Sequence, residues 1–317
     1  MLFADDAAVA THTEEELQSL MTRFSKACKD FGLTISLKKT NVLSQDTPTT
    51  PAITIGDQQL DVVHQFTYLG STITDNLSLD AELDKRIGKA ASTLAHLTAR
   101  VWTNPKLTTA TKMAVYNACI ISTLLYGSES WTTYARQEKR LNTFHLRCLR
   151  RILGISWQDK VTNAEVLSRA GLPSIHTILR QRRLRWLGHV HRMEDGRIPK
   201  DLLYGELTSG KRNIGRPKLR YSDVVKRDMK ALDIDTGSWE NLAADRPRWR
   251  GTLTKQLRSG EEKMLRAAED RRARRKNCQN SNFRPGTTHR CDSCGKECLS
   301  RIGLFSHKRR CSSQTDN

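Results

Sequence analysis

Apolar residues recur at helical spacing through most of the chain, and the first such run has a marked start. Thr13 and Glu16 form a capping-box pair, in which a hydroxyl accepts from a free N–H of the first turn while a carboxylate reaches back to another. Leu17, Leu20, Met21, Phe24, Cys28 and Phe31 then share one face until Gly32 supplies a stop. Leu33 to Leu37 alternates as a strand, and Phe66 to Ile73 predicts another, beyond a loop bearing Pro48 and Pro51. Amphipathic helices are predicted over 78–100, with Leu83, Ile87, Ala90 and Leu94 on one side, and over 108–126, with Met113, Tyr116, Ile120 and Leu124. A basic helix over 136–155 carries Arg140, Arg147, Arg150 and Arg151 beside Leu141, Phe144, Leu149 and Ile152. Further on, residues 178–187 mix arginines with leucines and Trp186, and residues 201–215 read as a glycine-bearing loop. Gly215-Arg216-Pro217-Lys218 reads as a turn showing two cations, and residues 261–276 read as a charged helix. The pattern predicts an α+β fold that is predominantly helical.

Ahead of the first helix, Met1 to Ala10 sets two short apolar stretches around Asp5-Asp6. Two strands joined by a tight turn would put both carboxylates at a hairpin tip. Adjacent carboxylates repel, and a hard divalent cation such as Mg²⁺ relieves that repulsion through its oxygen ligands, as does mere solvation of a turn.

Charge changes the picture of the rear. The chain holds 53 Lys+Arg against 34 Asp+Glu in 317 residues, a net +19. Residues 1–150 hold 16 against 15, and residues 151–317 hold 37 against 19, so the rear contributes +18. Dense Lys/Arg neutralises phosphates and releases their counterions, which points to nucleic acid as partner, RNA or DNA. Arg182, Arg183, Arg185 and Trp186 combine phosphate-pairing guanidinium groups with a stacking face. Trp239 and Trp249 bracket Arg246-Pro247-Arg248, and Arg271, Arg272, Arg274, Arg275 and Lys276 close the charged helix as a nucleic-acid arm or nuclear-localisation block. No apolar run is long enough to span a membrane; the longest, 118–126, is broken by Ser122 and Thr123. With Asp5-Asp6 where a leader would need an apolar core, the expected location is nucleus or cytoplasm, the nucleus favoured.

Four of the eight cysteines fall in the last 27 residues, as Cys291-x2-Cys294-x12-His307-x3-Cys311 with Cys298 between. A Cys-x2-Cys knuckle followed by two ligands at i and i+4 on a helix is tetrahedral Zn²⁺ spacing. The segment resembles a finger of ββα form built on two cysteines and two histidines, with the last histidine replaced by Cys311. Cys298 and Leu304 occupy its core positions, and Arg301, Lys308 and Arg309 lie where its helix would meet nucleic acid. Such a finger also serves as a protein contact. His189 and His191, two apart on a helix, face different sides and make no metal pair. Cys28, Cys119, Cys148 and Cys278 are scattered and read as ordinary residues.

The ordered segments FADD (3–6), GLTISLKKT (32–40) and FTYLGSTIT (66–74) resemble the rear of the palm of a non-LTR, LINE-type retrotransposon reverse transcriptase. LLYGSESWT (124–132), RCLRRILGI (147–155), RRLRWLGHVHRM (182–193) and GRPKLRY (215–221) resemble segments downstream of it. The resemblance implies that Asp5 and Asp6 match the metal-binding pair and that Lys39 matches a lysine steering the incoming triphosphate. It divides the chain into a partial palm (1–76), a helical thumb-like region (77–160), a basic helical connector (161–276) and a zinc-finger region (277–317, finger 291–311). In that family the further catalytic Asp, the fingers and the nucleotide-binding loop precede the FADD hairpin, and here four residues precede Asp5. The expectation is a truncated copy that binds zinc and nucleic acid without polymerising, with Mg²⁺ relevant only to a complete polymerase. The alternatives are the rear of a longer active polymerase and a domesticated zinc-finger adaptor that contacts proteins.

Overall fold

The computed structural model describes residues 2–45, 47, 49–205, 215, 217–281, 289–298 and 300–311. The predicted turn at 215–218 and most of the loop at 201–215 therefore lie partly outside the described residues, as does the side chain of Cys278. The chain forms two compact units, Met1–Glu261 and Glu262–Asn317, so the boundaries expected near 76 and 160 fall inside the first. Helices dominate and, among the described residues, every sheet has two strands, which makes the fold α+β and predominantly helical. No helix among the described residues is long and apolar enough to cross a membrane.

The first unit opens with a hairpin, β1 (Leu2–Phe3) against β2 (Asp6–Ala7), turned through Ala4 and Asp5. Helix α1 (Glu14–Asp30) starts where Thr13 predicted: its side chain accepts from the Glu16 N–H at 3.2 Å, and the Glu16 carboxylate accepts from the N–H of His12. Two small strand pairs follow: β3 (Asn41–Val42) runs parallel to β6 (Asp61–Val62), and β4 (Thr54–Ile55) is antiparallel to β5 (Gln58–Gln59). Gln18 on α1 makes a reciprocal pair with the backbone of Thr54, donating at 3.0 Å and accepting at 2.8 Å, which holds α1 to β4. Met21, Val42, Ile53 and Leu60 form a small core beneath them.

Two strand expectations change. Leu33 to Leu37 is not a strand: among the described residues no strand pairs with it, Leu33 is exposed with its N–H donating to the Cys28 carbonyl at 2.7 Å, and the chain turns at Leu37–Lys39 with Lys39 and Thr40 donating to the Ser36 carbonyl. The strand expected over 66–73 is a hairpin, β7 (Gln65–Tyr68) against β8 (Ser71–Thr74), because Leu69 and Gly70 both adopt positive φ (46° and 80°) and reverse the chain. That hairpin is fastened to the helical body by Arg86 on α2 (Asp80–His96). Its guanidinium pairs with Glu82 at 2.6 Å, donates to the Gly70 carbonyl and lies 4.5 Å over the Tyr126 ring, while the Tyr126 hydroxyl donates to the Leu69 carbonyl.

After α2 come a π-helical turn at Thr98–Trp102, then α3 (Thr109–Val115), a second π turn (Tyr116–Ile121) and the short α4 (Ser122–Leu124). The predicted stripes are the core here: Leu83, Ala90, Leu94, Met113, Tyr116, Ile120 and Leu124 are all buried. Helices α5 (Ala135–Leu153) and α6 (Asn163–Ala170) each end on a left-handed glycine, Gly154 and Gly171. Helix α7 (Ile175–His191), capped by Ser174, is surrounded by neighbours, with α8 (Ile198–Tyr204), α9 (Tyr221–Ala231) and α10 (Trp239–Ala244) all packed on it. The long α11 (Arg246–Ser281) starts against it as well. The rear face of α7 joins Leu184 and Leu187 to Val225, Met229, Trp239, Trp249 and Leu253 in one core.

This packing overturns one expected nucleic-acid contact. Arg183 on α7 is fully buried, 0% exposed, and every nitrogen of its guanidinium is engaged. Nε donates to Asp228 at 2.6 Å, Nη1 to Thr133 Oγ1 at 2.9 Å and Nη2 to Glu138 at 3.1 Å. Glu138 also accepts from Thr133 at 2.7 Å and Arg227 at 2.8 Å, and His176 lies 3.2 Å from its other oxygen. Arg183 therefore ties α5, α7 and α9 together and is unavailable to phosphate. Arg182 is half-buried and donates to the Leu125 carbonyl, leaving Arg185 exposed and Trp186 half-buried with its ring 5.3 Å from that of His189.

Burial alone would raise the Glu138 pKa, but the His176 hydrogen bond, the Arg183 charge, the Thr133 hydrogen bond and Arg227 outweigh it and hold the carboxyl at about 2, below its ordinary 4.5. A depressed carboxyl contributes stability that is present above its unfolded-state pKa and is lost as pH falls from about 4.5 through about 2. Glu138→Gln is expected to lower unfolding stability by about 3–5 kcal/mol, because Arg183 is left buried and undercompensated. It should also flatten the pH dependence in that window, as denaturant melts at pH 7 and pH 3 would show.

Candidate functional site

The acidic hairpin is well formed but sparse. Phe3 pairs with Asp6 across β1 and β2, so Asp5 stands in the turn and Asp6 begins the second strand, and both are exposed. Lys39, exposed, sits in the turn at Leu37–Lys39. Among the described residues, no third His, Cys, Asp or Glu joins Asp5 and Asp6 in a metal-holding group.

The cysteine segment is denser. In the second unit, β9 (His289–Arg290) pairs antiparallel with β10 (Glu297–Cys298), and the helix α12 (Arg301–Cys311) packs on both. The turn between the strands is shaped by its own hydrogen bonds: the Gly295 N–H donates to the Cys291 carbonyl at 2.8 Å and the Cys291 N–H to the Lys296 carbonyl at 2.9 Å. Gly295 takes φ 73°, a left-handed conformation that glycine adopts without steric cost. Cys291 and Cys294 come from this turn; His307 and Cys311, one helical turn apart, come from α12. The four ligand atoms lie within 4.8 Å of one another, and Cys294 Sγ is 2.9 Å from His307 Nε2.

The electrostatics of the four fit a cation. Backbone N–H groups of Cys294 and Ser293 pull the Cys291 thiol down to about 6. The Cys311 thiol is pushed up to about 11, by its hydrogen bond with Cys294, by burial and by the charge of Cys294 and Cys291. Three sulfurs this close cannot all ionise unless positive charge stands among them. A tetrahedral Zn²⁺ with sulfur bonds of about 2.3 Å separates its ligand atoms by roughly 3.5–3.8 Å, so small side-chain shifts would seat one. The cluster could thus hold a metal ion in a three-Cys, one-His site.

The helix begins at Arg301, and Cys298 ahead of it stays in β10, half-buried. Arg301 is exposed. Lys308 pairs with Asp292 at 2.8 Å and Arg309 lies 5.2 Å over the Phe305 ring, so two of the three cations expected to meet nucleic acid have neighbours within the unit. Ile302 and Phe305 are 80% and 63% exposed, an apolar face that periodicity did not forecast. Helix α11 carries Arg271, Arg272, Arg274 and Arg275, all exposed. Sequence reasoning also missed the solvated Trp157, 85% exposed at the turn after α5.

Comparison with known proteins agrees with the front of this picture. Residues 1–73 match the family of reverse transcriptases, described as RNA-dependent DNA polymerases. A transposon-derived protein of Caenorhabditis elegans is 25% identical over 260 residues, which covers 78% of this chain and 92% of the relative. No solved structure matches significantly. The chain is thus similar to the reverse-transcriptase family over the segment that holds the Asp5-Asp6 hairpin, the α1 helix and the Tyr68-Leu69-Gly70 turn, and to a transposon-derived protein over most of its length.

Proposed function

We propose that this is a LINE-type retrotransposon protein whose reverse-transcriptase-like front does not polymerise and whose rear binds one Zn²⁺ and nucleic acid. The convergence of Cys291, Cys294, His307 and Cys311 from a turn and a helix carries this reading. Two-cysteine knuckle, short strand pair and ligand-bearing helix are the parts of a ββα zinc finger, and a module of this size needs its metal to stay folded. Zn²⁺ would be held by those four residues in a structural role, closing off every coordination position. Arg271, Arg272, Arg274 and Arg275 on the exposed arm, with Arg301, Lys308 and Arg309 on the finger and Arg185 and Trp186 on α7, supply the phosphate and stacking contacts. The basic arm also serves as the nuclear address.

Polymerisation by two metals needs carboxylates that converge on both ions. Among the described residues no third carboxylate joins the exposed Asp5-Asp6 pair, and Lys39 by itself adds none. A second reading, a protein adaptor, draws on the exposed Ile302 and Phe305: partner proteins bury such i, i+3 apolar pairs.

Elemental analysis of the purified chain is expected to give one zinc per chain, absent in Cys291→Ser/Cys294→Ser; metal-free wild-type protein would reject the centre. Primer extension on an RNA template with Mg²⁺ and dNTPs is expected to give no product, and product abolished by Asp5→Asn would reject the inactive front.

A further inference from the structure

The outer face of α12 carries a ring and a cation where a helix that reads a duplex carries amides and forked donors. With Arg301 as the first helical residue, the positions of a ββα finger that meet base edges in the major groove are −1, 3 and 6, here Ser300, Gly303 and Ser306. Gly303 offers no side chain, and the Ser300 hydroxyl already accepts from the Gly303 N–H at 3.0 Å, capping the helix. Ser306 adds one hydroxyl, which does not discriminate among bases. No Arg, Asn, Gln or Glu stands at these positions, so the paired contacts that tell one base pair from another have no donors or acceptors there.

Ile302, Phe305 and Arg309 share one face of the helix at i, i+3 and i+7. Ile302 and Phe305 are largely exposed, and the Arg309 guanidinium lies 5.2 Å over the Phe305 ring. A guanidinium over a ring keeps its N–H edge pointing outward, so it can pair with a phosphate oxygen without leaving the ring. Residues 289–311 around this pair hold six Lys+Arg against two Asp+Glu, a net +4. A protein partner of ordinary size covers about 800 Å² on each side, far more than two apolar side chains amid cations supply. One ring is enough for one base.

We propose that this face is a stacking platform for single-stranded nucleic acid: an unpaired base lies on the open part of the Phe305 ring, beside Ile302, and Arg309 takes the adjoining phosphate. The inference rests on the nucleic-acid reading above and narrows its partner from a polyanion to an unpaired strand. A base inside a duplex has both faces covered by its neighbours and cannot reach the ring, whereas an unpaired base turns a face outward. Every base has such a face, so the platform selects strandedness over sequence.

Two fluorescently labelled probes, a single strand of about ten nucleotides and the duplex of the same sequence, are titrated with the zinc-loaded full chain. Phe305→Ala is expected to weaken single-strand binding about tenfold and to leave duplex binding unchanged. Its slope of log Kobs against log salt should not move, since no cation is lost, whereas Arg309→Gln should lower that slope by about 1. Zinc content and far-ultraviolet circular dichroism should stay those of the unaltered chain. Phe305→Trp should restore the affinity and add a fluorescence that the single strand quenches, and Phe305→Leu, apolar without a π face, should not restore it. Single-strand affinity unchanged in Phe305→Ala, in a chain that binds both probes, would overturn the platform and leave the nucleic-acid reading standing. A chain that binds neither probe would reject both. Full rescue by Phe305→Leu would mark plain apolar burial, the form a contact with another protein takes, and would overturn the platform as well.

Discussion

A guanidinium with no water around it governs the larger unit. Arg183 is neutralised by Glu138 from α5 and Asp228 from α9, and it stays buried only while both carboxylates and Thr133 hold their positions. Replacing such a cluster wholesale by packed apolar groups need not reduce stability, but removing one member strands a charge. The cluster therefore acts as a register lock. It selects which faces of α5, α7 and α9 meet, and the Leu184, Leu187, Met229 and Trp249 core forms in the arrangement so chosen.

The lock divides the arginines of the rear into two populations. Arg183 belongs to the fold, and Arg86 does the same for the front hairpin by joining Glu82, Gly70 and Tyr126. Arg185, Arg246, Arg250 and the arginines of the α11 arm remain exposed. A net charge of +18 in residues 151–317 is thus a sum of structural and free charge, and only the free part is available to a polyanion. Among its described residues the second unit buries Cys291 but no large apolar side chain, and the Cys291, Cys294, His307 and Cys311 cluster joins its strand turn to α12.

What could be read in the sequence was local. The Thr13 cap, the Gly32 stop after α1 and the i, i+4 pair His307 and Cys311 each involve residues within a few positions, so spacing alone reports them. The Leu33–Leu37 alternation misled because a strand is made by its neighbour, and among the described residues none pairs with it. The hairpin at Leu69-Gly70 was hidden because Leu69 takes a positive φ that nothing in its chemistry requires. Arg183 looked like its neighbours on α7 since its partners are 45 to 50 residues away.

One Zn²⁺ held by Cys291, Cys294, His307 and Cys311 is proposed to organise the unit that contacts nucleic acid. Oligonucleotide affinity of the full chain, compared before and after zinc is removed by a chelator and again after zinc is returned, tests it most directly. Affinity is expected to fall on removal and to recover on return, with a steep salt dependence throughout. Affinity indifferent to zinc would contradict it.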